Sequence, residues 1–118
     1  MKPHIDTLDL ALLSRVRDVV DGGTATDAEV RRLADLTGGW VRAVEAQVAA
    51  SDGRLGTLSA NPASALSEIA SEVRRRDSLQ RELDDARALL EGLDARAREL
   101  RTTWLKHHAE SARLRPPD

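Results

Sequence analysis

Apolar residues in the second half of the chain recur at a spacing that predicts a coiled-coil helix. From residue 79 to residue 104, the steps between them alternate between four and three residues without a fault. This heptad alternation places one apolar stripe along a helix and is typical of a seam that packs against another helix. The predicted seam consists of Leu79, Leu83, Ala86, Leu90, Leu93, Ala97, Leu100 and Trp104.

One long helix is predicted to carry this seam. Asn61 is a suitable N-cap, and Pro62 suits the first helical position, where the missing N–H of proline costs nothing. No further proline occurs before the C-terminal tail, and Gly92 is the only glycine on the way. The helix is expected over about residues 62–111, roughly 75 Å at 1.5 Å per residue. Two successive steps of three residues meet at Arg76, so a bend or a change of partner is expected there.

The first half of the chain is predicted to begin with two helices separated by a glycine turn. Apolar residues at helical spacing indicate a helix over about residues 7–21. Gly22 and Gly23 follow as a stop signal, because glycine enters the left-handed region without steric cost. Thr26 and Glu29 have the spacing of a capping box, so the second helix is predicted to begin at Thr26.

A second glycine pair is expected to end or kink this second helix. Gly38 and Gly39 precede a further apolar stripe that predicts a helix over residues 40–51. At least one of the two glycines is expected at positive φ, where alanine would be strained. Trp40 is the largest apolar side chain in this half and is expected to pack on helix one, near Leu12, Val16 or Val19.

These elements place the chain in the all-α class, since no alternating β-branched or aromatic run indicates a strand. Residues 1–58 are predicted to form an N-terminal helical hairpin or three-helix unit. Residues 59–118 are predicted to form the long coiled-coil helix with a short polar tail. The partner of the seam stays open, because another copy, another protein or the N-terminal helices all satisfy the pattern.

Composition narrows the class of protein. The chain has 118 residues, of which 41% are hydrophobic, but eighteen of these are alanines, so its own core must be thin. No cysteine is present, and no apolar run approaches the twenty or so residues of a membrane span. The N-terminal apolar run is too short and broken for a signal peptide. We expect a soluble cytoplasmic protein, and sixteen arginines against two lysines are typical of a GC-rich bacterial genome.

A helix-turn-helix is the alternative interpretation of the second glycine pair. Ala34, Gly38 and Val44 have the spacing of its small residue, turn glycine and apolar residue. The segment "LADLTGGWVRAV" also resembles the opening of MerR-type regulators, and the coarse layout is similar to KfrA-type plasmid proteins and phage small terminases. The resemblance implies a DNA-binding regulator that dimerises through its coiled coil. Arg42 and Gln47 would then be the groups able to contact DNA.

This resemblance covers about a dozen residues and departs from the family pattern at two of them. Gly39 and Trp40 stand where those regulators carry an apolar residue and a Ser or Thr. Major-groove reading needs several donor side chains, and this helix offers only two. Residues 1–58 carry seven basic and nine acidic residues, a net charge of -2 that repels DNA phosphates.

A second short resemblance lies on the long helix. Arg76, Gln80 and Asp84 are spaced four apart, which is similar to part of the motif by which certain coiled-coil anti-sigma factors bind cyclic di-GMP. The family motif continues upstream with Ser and Glu, whereas this chain has Val73 and Ile69 there. The departure weakens the resemblance, and no cofactor is predicted.

No catalytic or metal-binding constellation is indicated. Adjacent His107 and His108 point about 100° apart on a helix, so they are poorly placed to share one ion. The sequence therefore predicts a non-enzymatic α-helical interaction or assembly module that acts through the seam. Its partner is expected to be protein, either a second copy in a homo-oligomer or a larger complex, and not a membrane. DNA binding is the alternative.

Overall fold

The computed structural model describes residues 10–114, which form three α-helices and contain no strand. They are α1 (Leu10–Val20), α2 (Asp27–Ala60) and α3 (Leu66–Leu114). The predicted all-α class with a long final helix is therefore confirmed. The start predicted for helix one, near residue 7, lies outside the described residues. α3 has 49 residues, and the molecule is elongated, measuring 84 × 30 × 19 Å.

α2 and α3 form an antiparallel hairpin joined by residues 61–65. Near the loop, the Ser51 hydroxyl donates to the Glu72 carboxylate. Further from the loop, the Trp40 indole N–H donates to Glu82 Oε1 at 3.1 Å. Away from the loop, the contacting residues of α3 have higher residue numbers and those of α2 have lower ones. The two helices are therefore antiparallel.

α1 covers the end of this hairpin that lies away from the loop. Val20, at the end of α1, lies against Gly92 of α3, whereas Leu13, nearer the start of α1, packs against the cluster that contains Leu83 and Ala86. α1 therefore runs in the same direction as α3 and adds a third helix over part of the hairpin only. Arg15 of α1 fixes it to α2, since its Nε donates to Glu29 Oε2 at 2.9 Å.

The predicted seam packs within its own chain, against the N-terminal helices. Leu79, Leu83, Ala86 and Leu93 are buried, while Leu90, Ala97 and Leu100 are partly buried beside them. One cluster joins α2 to α3 and consists of Trp40, Val41, Val44, Val48, Leu79, Leu83 and Ala86. The second joins all three helices and consists of Val16, Val19, Val30, Leu33 and Leu93.

The first glycine turn and the cap that follows it form as predicted. Gly22 adopts φ 103°, a left-handed conformation that ends α1. The Thr26 hydroxyl accepts from the backbone N–H of Glu29 at 3.1 Å, which identifies Thr26 as the N-cap of α2. The Glu29 carboxylate bonds Arg15, so it serves the contact between α1 and α2.

The predicted break at the second glycine pair is wrong. α2 passes through Gly38 and Gly39 without interruption, and Gly22 is the only described glycine at positive φ. The end predicted at residue 51 for the helix over residues 40–51 is also wrong, because α2 continues to Ala60. Each glycine in a helix interior costs up to about 1 kcal/mol, which burial of the neighbouring Trp40 and Val41 against α3 offsets.

The start predicted for the long helix is also wrong. Asn61 is the C-cap of α2, and α3 begins at Leu66. The Asn61 side chain stabilises the loop instead, since its Oδ1 accepts from the backbone N–H of Ala63 at 3.0 Å. The N-cap prediction failed because asparagine suits a turn as well as a helix start. Beyond the loop, α3 is a single helix that continues through Arg76.

The prediction for Trp40 is half right. Its side chain is buried, with 7% of its surface exposed. However, it packs mainly in the cluster with α3, and only Leu13 of α1 lies against that cluster. Val16 and Val19 belong to the other cluster. The helix pairing explains the difference, because α2 presents Trp40 to α3 along their shared seam.

Alanine at two helical glycines is expected to change stability in opposite directions. A Cβ on Gly39 would have only Arg42 Nη2 nearby, at 3.9 Å, so Gly39→Ala should raise the free energy of unfolding by about 0.5–1 kcal/mol. A Cβ on Gly92 would lie 2.7 Å from Val20 Cγ1. Gly92→Ala should therefore lower it by about 1 kcal/mol, because overpacking outweighs helix propensity.

Urea denaturation followed by circular dichroism measures both variants beside the wild type. A destabilising Gly39→Ala would contradict the continuous helix, because it would indicate a turn that needs positive φ. A stabilising Gly92→Ala would contradict the close approach of α1 to α3.

Candidate functional site

The last part of α3 extends beyond the other two helices. α2 begins at Asp27, which lies beside the turn of α3 that contains Leu100 and Arg101. Every side chain from residue 101 to residue 113 is exposed. We call residues 101–113 the α3 extension; at 1.5 Å per residue it is about 20 Å long. The apolar seam runs into this extension as far as Trp104, where only the start of α2 lies beside it.

An open apolar groove lies where the extension leaves the bundle. Its volume is about 520 Å³. Trp104 and Leu105 line it and remain 58% and 61% exposed, although they are among the largest apolar side chains of the molecule. The remaining lining residues are Asp27, Arg31, Leu100 and Arg101. Because Asp27 and Arg31 pair with each other, their charges are compensated at that wall.

The orientation of Trp104 is supported by His108 one turn later. The two rings stack with centroids 3.8 Å apart and an angle of 29° between their planes. His108 Nδ1 also lies 3.0 Å from the carbonyl oxygen of Trp104. His108 therefore restrains the indole of Trp104, while more than half of the surface of Trp104 stays exposed to solvent.

The extension is basic, while the bundle is acidic. Residues 101–113 contain Arg101, Lys106 and Arg113 but only Glu110, a net charge of +2. Residues 10–100 contain thirteen arginines and sixteen acidic residues, a net charge of -3. Within residues 10–114, none of the three basic side chains of the extension forms an ion pair. Their charge is therefore available to a partner.

The polar cluster near the hairpin loop holds the two helices together. Glu72 accepts from the Ser51 hydroxyl and from Arg54 Nε, the latter at 3.0 Å. Hydrogen bonds from Ser51 and then Arg54 hold the pKa of the Glu72 carboxyl below its usual value. The hydrogen bond from Arg15 likewise lowers the pKa of Glu29. Both carboxylates already have partners in their own chain, so their role is to stabilise the contacts between the helices.

The two candidate DNA-contacting residues do not share a face of α2. Arg42 is exposed and lies back over the glycine pair, within 3.6 Å of where a Cβ of Gly38 would stand. Gln47 is half-buried. Five residues separate it from Arg42, which places the two about 140° apart around the helix. Asp35 lies two turns before Arg42 on the same face and adds negative charge beside it.

The partial cyclic di-GMP motif is engaged with neighbouring groups of this chain. Arg76 Nε donates to Asp52 Oδ1 of α2 at 2.7 Å. Gln80 donates to Asp84 Oδ1 at 3.1 Å. A ligand would have to break both contacts before it could use these side chains.

Within residues 10–114, no three His, Asp or Glu side chains stand close enough together to hold a metal ion. No helix in that range has both the length and the apolar character needed to cross a membrane. No protein family model, curated protein or solved structure matches the sequence.

The groove could not be located from sequence alone. Leu100 and Trp104 were recognised as the last two positions of the seam, but whether they are covered depends on where α2 begins beside α3. Leu105 was not recognised, because it lies one step off the heptad. The one signal available was that polar His107 follows Trp104 at the next seam position.

The two tryptophans are expected to differ sharply in their effect on stability. Trp40→Ala should lower the free energy of unfolding by about 3–5 kcal/mol, as truncation of a buried aromatic does. Trp104→Ala should change it by less than about 1 kcal/mol, because most of the ring is exposed. Urea denaturation measures both. Equal losses for the two variants would show that Trp104 belongs to the core.

Proposed function

We propose that this chain is a non-enzymatic α-helical interaction module that binds another protein through the groove at the base of the α3 extension. The observation that carries the proposal is the exposure of Trp104 and Leu105 in a protein whose other tryptophan is buried. Exposed apolar patches flanked by charged residues mark interaction sites. Tryptophan and arginine are also the side chains most often dominant in the binding energy of interfaces.

The proposed binding site is the distal end of the seam and not its whole length. Leu79, Leu83 and Leu93 are buried inside the chain, so a partner could reach them only by displacing α1 or α2. Leu100 and Trp104 can be contacted without such a change. Homo-oligomerisation and a cytoplasmic location remain predictions from the sequence.

The DNA-binding regulator remains the alternative prediction. The geometry of the described chain favours the interaction module over it. The helix-turn-helix spacing needs a turn at Gly38, whereas α2 is continuous there. Val44 and Trp40, which would belong to a recognition helix, are buried against α3.

Affinity purification from the native cell tests the proposal. The tagged full chain should retain at least one protein that Trp104→Ala loses, because truncation of an interface tryptophan commonly costs about 2 kcal/mol or more, roughly thirtyfold in affinity. Quantitative mass spectrometry compares the two samples.

Leu66→Ala is the matched control, because Leu66 is 83% exposed at the opposite end of α3. It should retain the same proteins as the wild type. Identical protein sets for wild type and Trp104→Ala would contradict the proposal. Specific retention of duplex DNA, lost on Arg42→Ala, would favour the alternative.

A further inference from the structure

We infer that the groove binds an acidic amphipathic helix of a different protein, with an apolar side chain against Trp104 and carboxylates facing the basic flank of the extension. The inference rests on the proposed function and adds the chemistry of the partner. It follows from the shape of the extension, from its charge and from the poor fit of a second copy in the groove.

The shape of the site fits a helix. α3 continues for about 20 Å past the bundle, and Trp104 and Leu105 lie in the first turn of this extension, where a packed helix could contact both. At the base, the groove of about 520 Å³ can take one large side chain from the partner. An amphipathic helix whose anchors are three or four residues apart meets both requirements, as in other helix-in-groove complexes.

The charge of the site favours carboxylates on the partner. Helical spacing places Arg101 between Trp104 and Leu105 around α3, and Arg98 about 20° beyond Leu105. Lys106 and Glu110 lie one turn apart on the side of α3 away from Trp104. A helix on the Trp104 and Leu105 face would therefore run beside a basic border, where Asp or Glu side chains are attracted and Lys or Arg repelled.

A second copy is a poor occupant of the same groove. In a two-fold dimer each surface meets itself, so the two extensions would face one another. Six basic residues would then meet two acidic ones, and this like-charge contact is unfavourable. A partner of opposite charge removes the conflict and uses Arg98 and Arg101, which have no ion pair within residues 10–114.

Two synthetic peptides test the inference with the full chain. Both are amphipathic 18-residue helices with leucines at i, i+3, i+4 and i+7; one has Glu and the other Lys on the flanks. Fluorescence anisotropy of each labelled peptide gives its affinity. At low salt, the Glu peptide should bind about tenfold or more tightly than the Lys peptide, and high salt should reduce the difference.

Variants of the chain test whether the peptide binds at the groove. Trp104→Ala should weaken the Glu peptide by about tenfold or more. Arg98→Glu with Arg101→Glu should reverse the preference between the peptides. Arg74→Glu with Arg81→Glu makes the same change in net charge elsewhere on α3 and should leave both affinities within about twofold. Circular dichroism confirms that every variant remains helical.

Several results would overturn the inference. These are equal affinities for the two peptides, no effect of Trp104→Ala, or tighter Trp104-dependent binding of duplex DNA or anionic lipid vesicles. Concentration-dependent mass in light scattering, lost on Trp104→Ala, would identify a second copy as the occupant. If cells yield a Trp104-dependent protein while the peptides show no charge preference, the proposed function stands and only the acidic-helix inference fails.

Discussion

The fold depends on one packing interaction, that of the apolar seam of α3 against α2 and α1 of the same chain. The buried side chains are mainly valine, leucine and one tryptophan, arranged in two clusters along the helices. The core is therefore narrow and elongated along the helices. The radius of gyration is accordingly 21.4 Å, whereas a compact domain of this length has about 13.5 Å. The narrow core also explains why α3 can continue past its partners without a loss of packing in the bundle.

The heptad pattern predicted the helical class and the seam, because both follow from local spacing. It could not predict the partner of the seam, since the same spacing serves a helix of the same chain or of another. The glycine pair at 38 and 39 was misread for a related reason. Helix propensity is worth up to about 1 kcal/mol per residue, and burial of Trp40 and Val41 between the helices exceeds that cost.

The position of the groove follows from the lengths of the helices. α2 ends at Ala60, nine residues later than the helix predicted over residues 40–51. This end point and the short loop set the register of the hairpin, which brings Asp27 beside Leu100 and leaves Trp104 uncovered. The sequence showed Trp104 as part of the seam, but its exposure is a property of the hairpin as a whole. The buried seam thus carries the stability of the fold, and the proposed binding site lies at its distal end.

The central claim is that the seam is satisfied within one chain, and a distance between two spin labels tests it most directly. The chain has no cysteine, so Glu45→Cys and Arg87→Cys introduce the only labelling sites. In the wild type, Arg87 Nη2 lies 3.5 Å from Glu45 Oε2 across α2 and α3. Since packed helix axes are 8–10 Å apart, the labels should lie within about 20 Å of each other. This distance should survive dilution with excess unlabelled chain. Its loss on dilution, or a distance near the roughly 63 Å expected for one straight helix, would contradict the account.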